Sequence, residues 1–90
     1  MAQAEGRRLL LVEDDRAVSR AYESALARQG WTVETAANGR LAVERVKTTP
    51  FDVIVSDISM PEMNGLEFLR AVREQDLDVP VILIDWRTGA

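Results

Sequence analysis

The sequence predicts an α/β fold in which a doubly wound parallel sheet is covered by helices on both faces. Short apolar runs of strand length alternate along the chain with segments whose apolar residues recur at helical spacing. Glycine, proline and asparagine mark the boundaries between these segments. Strands that alternate with helices of these lengths favour right-handed crossovers, which make the strands parallel. About four strands and three helices fit the pattern.

The first third of the chain contains a predicted strand, helix and strand. Residues 9–12 form a continuous apolar run, which is typical of a strand that is buried on both faces. Residues 17–29 place their apolar side chains on one side of a helix, and Gly30 follows where a left-handed cap is expected. Residues 31–35 alternate apolar and polar side chains, as a half-exposed strand does.

The middle of the chain contains a second helix and a third strand. Asn38-Gly39 is a common hairpin turn, but the spacing in residues 41–46 is helical, so we interpret the pair as a loop that opens a helix. Residues 51–56 form a second buried strand, and Asp57 lies at its carboxyl end.

A loop, a helix and a strand are predicted for the last part of the chain. The loop covers residues 58–64, the helix covers residues 66–74 and the strand covers residues 79–84. The apolar side of this helix is expected to carry Leu66, Leu69 and Val72, with Phe68 at its margin.

Length and composition restrict the classes of protein. Ninety residues suit one domain, and we expect a disordered lead-in at 1–7, the domain at 8–84 and a tail at 85–90. No apolar run is long enough to span a membrane, and a net charge of -4 disfavours nucleic-acid binding. The chain has no cysteine, which fits a reducing compartment such as the cytoplasm. The absence of histidine excludes a Ser–His–Asp triad and a histidine-ligated zinc site.

Acidic residues follow two of the predicted buried strands directly. Glu13, Asp14 and Asp15 come after the first strand, and Asp57 ends the third. In a parallel sheet the binding crevice lies at the carboxyl ends of the strands, so these carboxylates should converge if the strands are neighbours. Clustered carboxylates repel one another and need a proton or a cation, and oxygen ligands of this kind suit Mg²⁺.

Simpler interpretations of the same acidic residues stay open from the residues alone. Asp15, just before a helix, has the position of an N-cap. A single aspartate after a strand, such as Asp57, is often a turn residue. If the site is real, Asp57 has the chemistry of a carboxylate nucleophile that forms an aspartyl-phosphate. A small phosphatase or metal-dependent hydrolase is a remote alternative, because the sequence offers no further acid or base.

Four segments together resemble the receiver domain of bacterial two-component response regulators, which has the CheY-like, flavodoxin-like fold. They are Leu-Leu-Val-Glu-Asp-Asp at 10–15, Val-Ile-Val-Ser-Asp at 53–57, Met-Pro-Glu-Met-Asn-Gly at 60–65 and Val-Pro-Val-Ile-Leu at 79–83. The resemblance extends over residues 8–84. It implies strand order 2-1-3-4, the beginning of the order 2-1-3-4-5 that such folds have.

The resemblance also implies roles for individual residues. Glu13 and Asp14 match the acidic pair that holds Mg²⁺, with Asp14 the direct ligand and Glu13 acting through water. Asp57 matches the phosphoacceptor, which takes its phosphoryl group from a phosphohistidine on a sensor histidine kinase or phosphotransfer protein. Ser59 matches the position whose backbone carbonyl completes the protein ligands of the metal. The resemblance implies a switch that assists its own phosphorylation, and not a classical enzyme.

The sequence departs from the family after the fourth strand. The family continues with a threonine or serine, a helix, a strand ending in Lys-Pro and a last helix, and this sequence lacks that helix-strand-helix. The expected hydroxyl residue is either replaced by Asp85 or displaced to Thr88, the candidate switch residue. The fourth strand would then be an open sheet edge, which predicts a homo-oligomer. The alternative function is a truncated receiver that no longer signals and acts as a structural or self-association module.

Overall fold

The computed structural model describes residues 6–75 and 78–85, and the described chain alternates strands and helices as predicted. Its elements are β1 (Arg8–Val12), α1 (Arg16–Arg28), β2 (Thr32–Ala36), α2 (Gly39–Thr48), β3 (Val53–Asp57), α3 (Gly65–Glu74) and β4 (Val81–Ile84). Their ends differ from the predicted ends by one or two residues in most cases, as expected for boundaries drawn from patterns. Most of the predicted lead-in, and Thr88 in the tail, lie outside the described residues.

The four strands form one parallel sheet in the order β2-β1-β3-β4, which confirms the predicted fold class. The order reverses between β1 and β3, because β1 leads to β2 on one side while β3 lies on its other side. This reversal is the topological switch point at which such sheets open a crevice. The site predicted from the acidic residues therefore lies at the position that the topology favours.

The sheet buries apolar side chains on both faces. Leu10 and Val12 of β1 belong to the core cluster formed with α2 and α3. Leu9 and Leu11, which alternate with them, point to the face covered by α1 and are also buried. The apolar run of β1 is continuous because both of its faces are covered.

Local signals define the beginnings and ends of the helices. The Asp15 carboxylate accepts a hydrogen bond from the Val18 N–H at 3.1 Å and caps α1. Gly30 follows α1 with a φ of 100°, a conformation that favours glycine. Asn38 caps α2 by accepting from the Leu41 N–H at 2.8 Å, so Asn38-Gly39 opens a helix as predicted. None of the helices in the described part of the chain is long and apolar enough to cross a bilayer.

The predicted apolar side of α3 was wrong in one respect. Phe68 is completely buried, whereas Leu66 is 56% exposed. The buried positions of this helix are Gly65, Phe68 and Val72, which are spaced by three and four residues. The helix is therefore rotated so that Phe68, and not Leu66, faces the core.

Candidate functional site

Strand register brings the acidic residues together at the carboxyl end of the sheet. β1 and β3 pair in parallel, with Val12 opposite Ser56. Glu13 follows Val12 just after β1, and Asp57 follows Ser56 as the last residue of β3, so both carboxylates lie at the same level. The convergence predicted from the sequence thus follows directly from one pairing register.

Glu13, Asp14 and Asp57 form a cluster in which one carboxylate oxygen of each lies within 4.8 Å of the others. Glu13 and Asp57 are buried, at 5% and 2% exposure, and Asp14 is half-buried. We call these three residues the acidic cluster. Asp15 is exposed and serves as the α1 cap, so it stands beside the acidic cluster without being part of it.

Hydrogen bonds orient Glu13 from two directions. Its backbone N–H donates to the Ala36 carbonyl at 3.0 Å, which ties the end of β1 to the end of β2. One of its carboxylate oxygens, Oε2, accepts from the Asp15 N–H at 2.9 Å. The first contact holds the Glu13 backbone, and the second restricts the rotation of its side chain.

Asp57 is held in a similar way by its neighbours in the chain. Its Oδ1 atom accepts from the Ser59 N–H at 3.0 Å. The buried Ser56 hydroxyl donates to the Asp57 carbonyl at 3.0 Å. A Cβ atom on Gly65 would lie 2.8 Å from that same carbonyl oxygen, so a glycine is required where α3 begins. The backbone around the carboxylate is therefore closely packed.

An open cleft of about 400 Å³ leads to the acidic cluster. Its lining residues are Asp14, Ile58, Ser59, Met60, Pro61 and Asn64. Ser59, predicted to act through its backbone carbonyl, is exposed and lies at this cleft together with Asp14. Asp57 itself is 2% exposed, and the cleft ends beside it at Asp14 and Ser59.

The charges of the acidic cluster oppose one another. Two carboxylate oxygens 4.8 Å apart repel by roughly 3–4 kcal/mol at an effective dielectric constant of about 20. A divalent cation between them would convert this repulsion into attraction. All three donors are oxygens, which suits a hard cation such as Mg²⁺.

The spacing of the donors also fits a small octahedral ion. Two oxygens bound to one Mg²⁺ at about 2.0–2.1 Å are separated by about 2.9 Å in adjacent positions and about 4.2 Å in opposite positions. The limit of 4.8 Å in the acidic cluster exceeds this range by less than about 1 Å. A small contraction, or one ligand acting through water, is sufficient for binding.

Two structural contacts near the site were not predicted from the sequence. Asn64 and Glu67 form a reciprocal capping box at the start of α3, with both hydrogen bonds at 2.9 Å. The spacing of an N-cap residue and a glutamate three positions later signals this box. Gly39 packs closely on Met63, and no local pattern signals that contact.

The candidate switch residue cannot be placed in the site, because Thr88 lies outside the described residues. Asp85, the other candidate position, is exposed and comes directly after β4. Asp57 is paired in register with Ile84, so the residue that follows β4 leaves the sheet at the same end as the acidic cluster.

Comparisons with known proteins agree with this geometry. Residues 9–88 match the family described as the response regulator receiver domain. The transcriptional regulatory protein TrcR of Mycobacterium tuberculosis is 40% identical over 89% of this chain and 31% of its own length. The response regulator receiver protein CpdR of Brucella abortus is 40% identical over 87% of this chain and 65% of its own length.

Solved structures show the same relationship. The chemotaxis protein CheY4 of Vibrio cholerae superimposes with a TM-score of 0.82 at 38% identity, covering 86% of this chain and 66% of that chain. The chain thus spans about a third of the TrcR regulator and about two thirds of the shorter receiver proteins. The family match covers most of the sequence, and the fold and the strand-end acidic residues agree with it. The chain therefore belongs to the response regulator receiver domains of two-component systems.

Proposed function

We propose that this receiver domain accepts a phosphoryl group on Asp57 from the phosphohistidine of a sensor histidine kinase or phosphotransfer protein. Glu13, Asp14 and Asp57 would hold a Mg²⁺ ion, together with the backbone carbonyl of Ser59. The observation that carries the proposal is the acidic cluster, in which three carboxylates share one cation-sized space. We place the functional domain at residues 8–84. We also place its action in the cytoplasm, a reducing compartment in which proteins rarely depend on disulfide bonds; this chain contains no cysteine.

The three side chains of the acidic cluster have different roles in this proposal. Glu13 already accepts one backbone hydrogen bond through Oε2, which favours contact with the cation through water. Asp14, half-buried at the cleft, is the more accessible direct ligand. Asp57 uses Oδ1 to accept from the Ser59 N–H, so its second oxygen would be the attacking atom or would bind the cation.

The transfer forms one bond and breaks another. A carboxylate oxygen of Asp57 attacks phosphorus, the bond from phosphorus to the donor imidazole breaks, and the imidazole nitrogen keeps the electron pair. The donor histidine lies outside these 90 residues, because they contain no histidine. The bound Mg²⁺ would neutralise the charge on the transferring phosphoryl oxygens. The domain thus acts as a phosphoacceptor that assists its own phosphorylation, and not as a classical enzyme.

Incubation with a small phosphodonor, followed by intact mass spectrometry, tests the proposal. We expect a single phosphate adduct in the presence of Mg²⁺ and its loss when a chelator removes the metal. Because catalysis of phosphoryl transfer depends on positioning and charge neutralisation, the metal-free protein should react much more slowly. No adduct on the metal-loaded protein, under conditions in which a known receiver is modified, would contradict the proposal.

A second candidate function is self-association, and the exposed face of β4 favours it. Among the described residues, β4 is an edge strand composed only of Val-Ile-Leu-Ile, and Ile82 is 52% exposed. The opposite edge strand, β2, carries Glu34, which pairs with Arg8 and Arg45. Charges of this kind protect an edge from pairing, and β4 has none. A second copy of the chain could therefore pair with β4.

A dilution series followed by light scattering tests self-association. We expect a dimer or higher assembly that dissociates on dilution, and Ile82→Lys should shift it to the monomer because a charge at the exposed face opposes pairing. Leu41→Lys is a matched control, because Leu41 is 46% exposed on α2, away from the edge. A wild-type protein that is monomeric at every concentration would exclude this function.

A further inference from the structure

The turn at residues 36–39, which joins β2 to α2, contacts Glu13 just after β1 and the loop that follows Asp57. At one end of the turn, the Ala36 carbonyl accepts from the Glu13 N–H at 3.0 Å. At the other end, Gly39 is buried against Met63 in the loop that joins β3 to α3. We call residues 58–64 the phosphoacceptor loop. The turn thus links the Glu13 side of the site to the Asp57 side.

The contact between Gly39 and Met63 leaves no room for a side chain. A Cβ atom on Gly39 would lie 2.9 Å from the Met63 carbonyl oxygen and 3.0 Å from its Cβ and Cγ atoms. Gly39 does not have a positive φ, so the backbone conformation itself does not demand glycine. Close approach of two backbone segments is the remaining physical reason for a glycine at this position.

The phosphoacceptor loop depends on such external contacts for its shape. Glu62 has a φ of 69°, a conformation that is unfavourable for a residue with a side chain. Arg40 pairs with Glu62 at 3.5 Å, but both side chains are more than half exposed, so this pair contributes little. Two packing contacts therefore remain to hold the loop: Met60 is buried in the core cluster, and Met63 packs on that cluster and on Gly39.

We propose that Gly39 is a positioning residue for phosphoryl acceptance. By allowing close packing of Met63, it sets the position of the phosphoacceptor loop over the site. This loop contains Ser59, whose N–H donates to Asp57 Oδ1 and whose carbonyl is the proposed metal ligand. The expected effect of Gly39 on Mg²⁺ binding rests on the proposed function. Its expected effect on the position of the loop does not depend on that function.

The substitution Gly39→Ala tests this role by two measurements. A methyl group at this position meets the Met63 carbonyl oxygen and the Met63 Cβ and Cγ atoms, and the carbonyl oxygen cannot move aside without shifting the loop. We expect Mg²⁺ affinity to fall roughly tenfold, as it does when groups that orient metal ligands are disturbed. We also expect the Ser59 amide resonance to shift in the metal-free protein, because its hydrogen bond to Asp57 is altered.

Two further variants separate positioning from general stability. Val46→Ala removes buried apolar volume at the far end of the same helix, so it should lower stability while leaving Mg²⁺ affinity unchanged. Met63→Gly removes the Cβ and Cγ atoms that pack on Gly39 without adding a clash, and it should weaken Mg²⁺ binding even if Gly39→Ala does not fold.

The outcomes for the two proposals are distinguishable. A folded Gly39→Ala protein with wild-type Mg²⁺ affinity and an unshifted Ser59 amide would overturn the positioning role, as would wild-type affinity in Met63→Gly. Failure of the wild-type protein to bind Mg²⁺ would overturn the proposed function. In that case the Ser59 amide of the metal-free variant still decides whether Gly39 positions the loop.

Discussion

Replacing Asp57 with asparagine should abolish phosphate incorporation and, at the same time, stabilise the metal-free domain. Asparagine has nearly the same shape but no nucleophilic carboxylate, so no adduct can form at this position. The change also removes one of three negative charges that lie within 4.8 Å of one another. Relief of this repulsion should raise the free energy of unfolding by about 1–3 kcal/mol. For a domain of this size, each kcal/mol corresponds to about 4–8 °C in melting temperature.

The measurements for Asp57→Asn are intact mass after phosphodonor treatment and thermal unfolding with and without Mg²⁺. The stabilisation should be seen without metal, whereas Mg²⁺ should stabilise the wild type and have little effect on the variant. Asp15→Asn is a matched control, because Asp15 follows Asp14 of the acidic cluster in the chain and asparagine preserves its capping of α1. An adduct on Asp57→Asn would show that Asp57 is not the phosphoacceptor, and destabilisation of this variant without metal would show that the charge-repulsion argument is wrong.

Replacing Phe68 with alanine should remove a large part of the stability of the domain. Phe68 is completely buried between α3 and the sheet, and it is the largest fully buried side chain in the described residues. Removal of a buried phenylalanine typically costs about 3–5 kcal/mol, because the core loses contacts and keeps a cavity. Small domains have only about 5–15 kcal/mol of total stability. We therefore expect a large fall in the urea midpoint, with partial unfolding at moderate temperature.

Leu66→Ala is the matched control for Phe68→Ala. The two residues belong to the same helix, but Leu66 is 56% exposed. Its replacement should change the free energy of unfolding by less than about 0.5 kcal/mol, as surface substitutions usually do. Equal losses for the two variants would show that the rotation of α3 differs from the one described.

Much of the fold was predictable because its signals are local. The continuous apolar runs ahead of Glu13 and Asp57 belong to strands covered on both faces, and both strands are in the parallel sheet as predicted. Gly30 and Asn38 also occupy the helix boundaries predicted for them. Each of these features depends on a few neighbouring residues, whose preferences are expressed whatever the rest of the chain does.

The rotation of α3 was less predictable because several stripes on one helix are apolar. Leu66, Leu69 and Val72 form one acceptable stripe in the sequence, and Gly65, Phe68 and Val72 form another. The capping box of Asn64 and Glu67 defines where the helix begins, and packing on the sheet selects the second stripe. Periodicity alone does not distinguish them, since both have helical spacing.

The order of strands and helices, and the position of acidic residues at the strand ends, were present in the amino-acid sequence alone. Only the tertiary structure decided that Glu13, Asp14 and Asp57 share one space, because this depends on the register of β1 and β3. The same holds for the contact of Gly39 with Met63, which joins residues far apart in the chain. Local preferences act over a few residues, whereas a site built from distant segments exists only after the chain has folded.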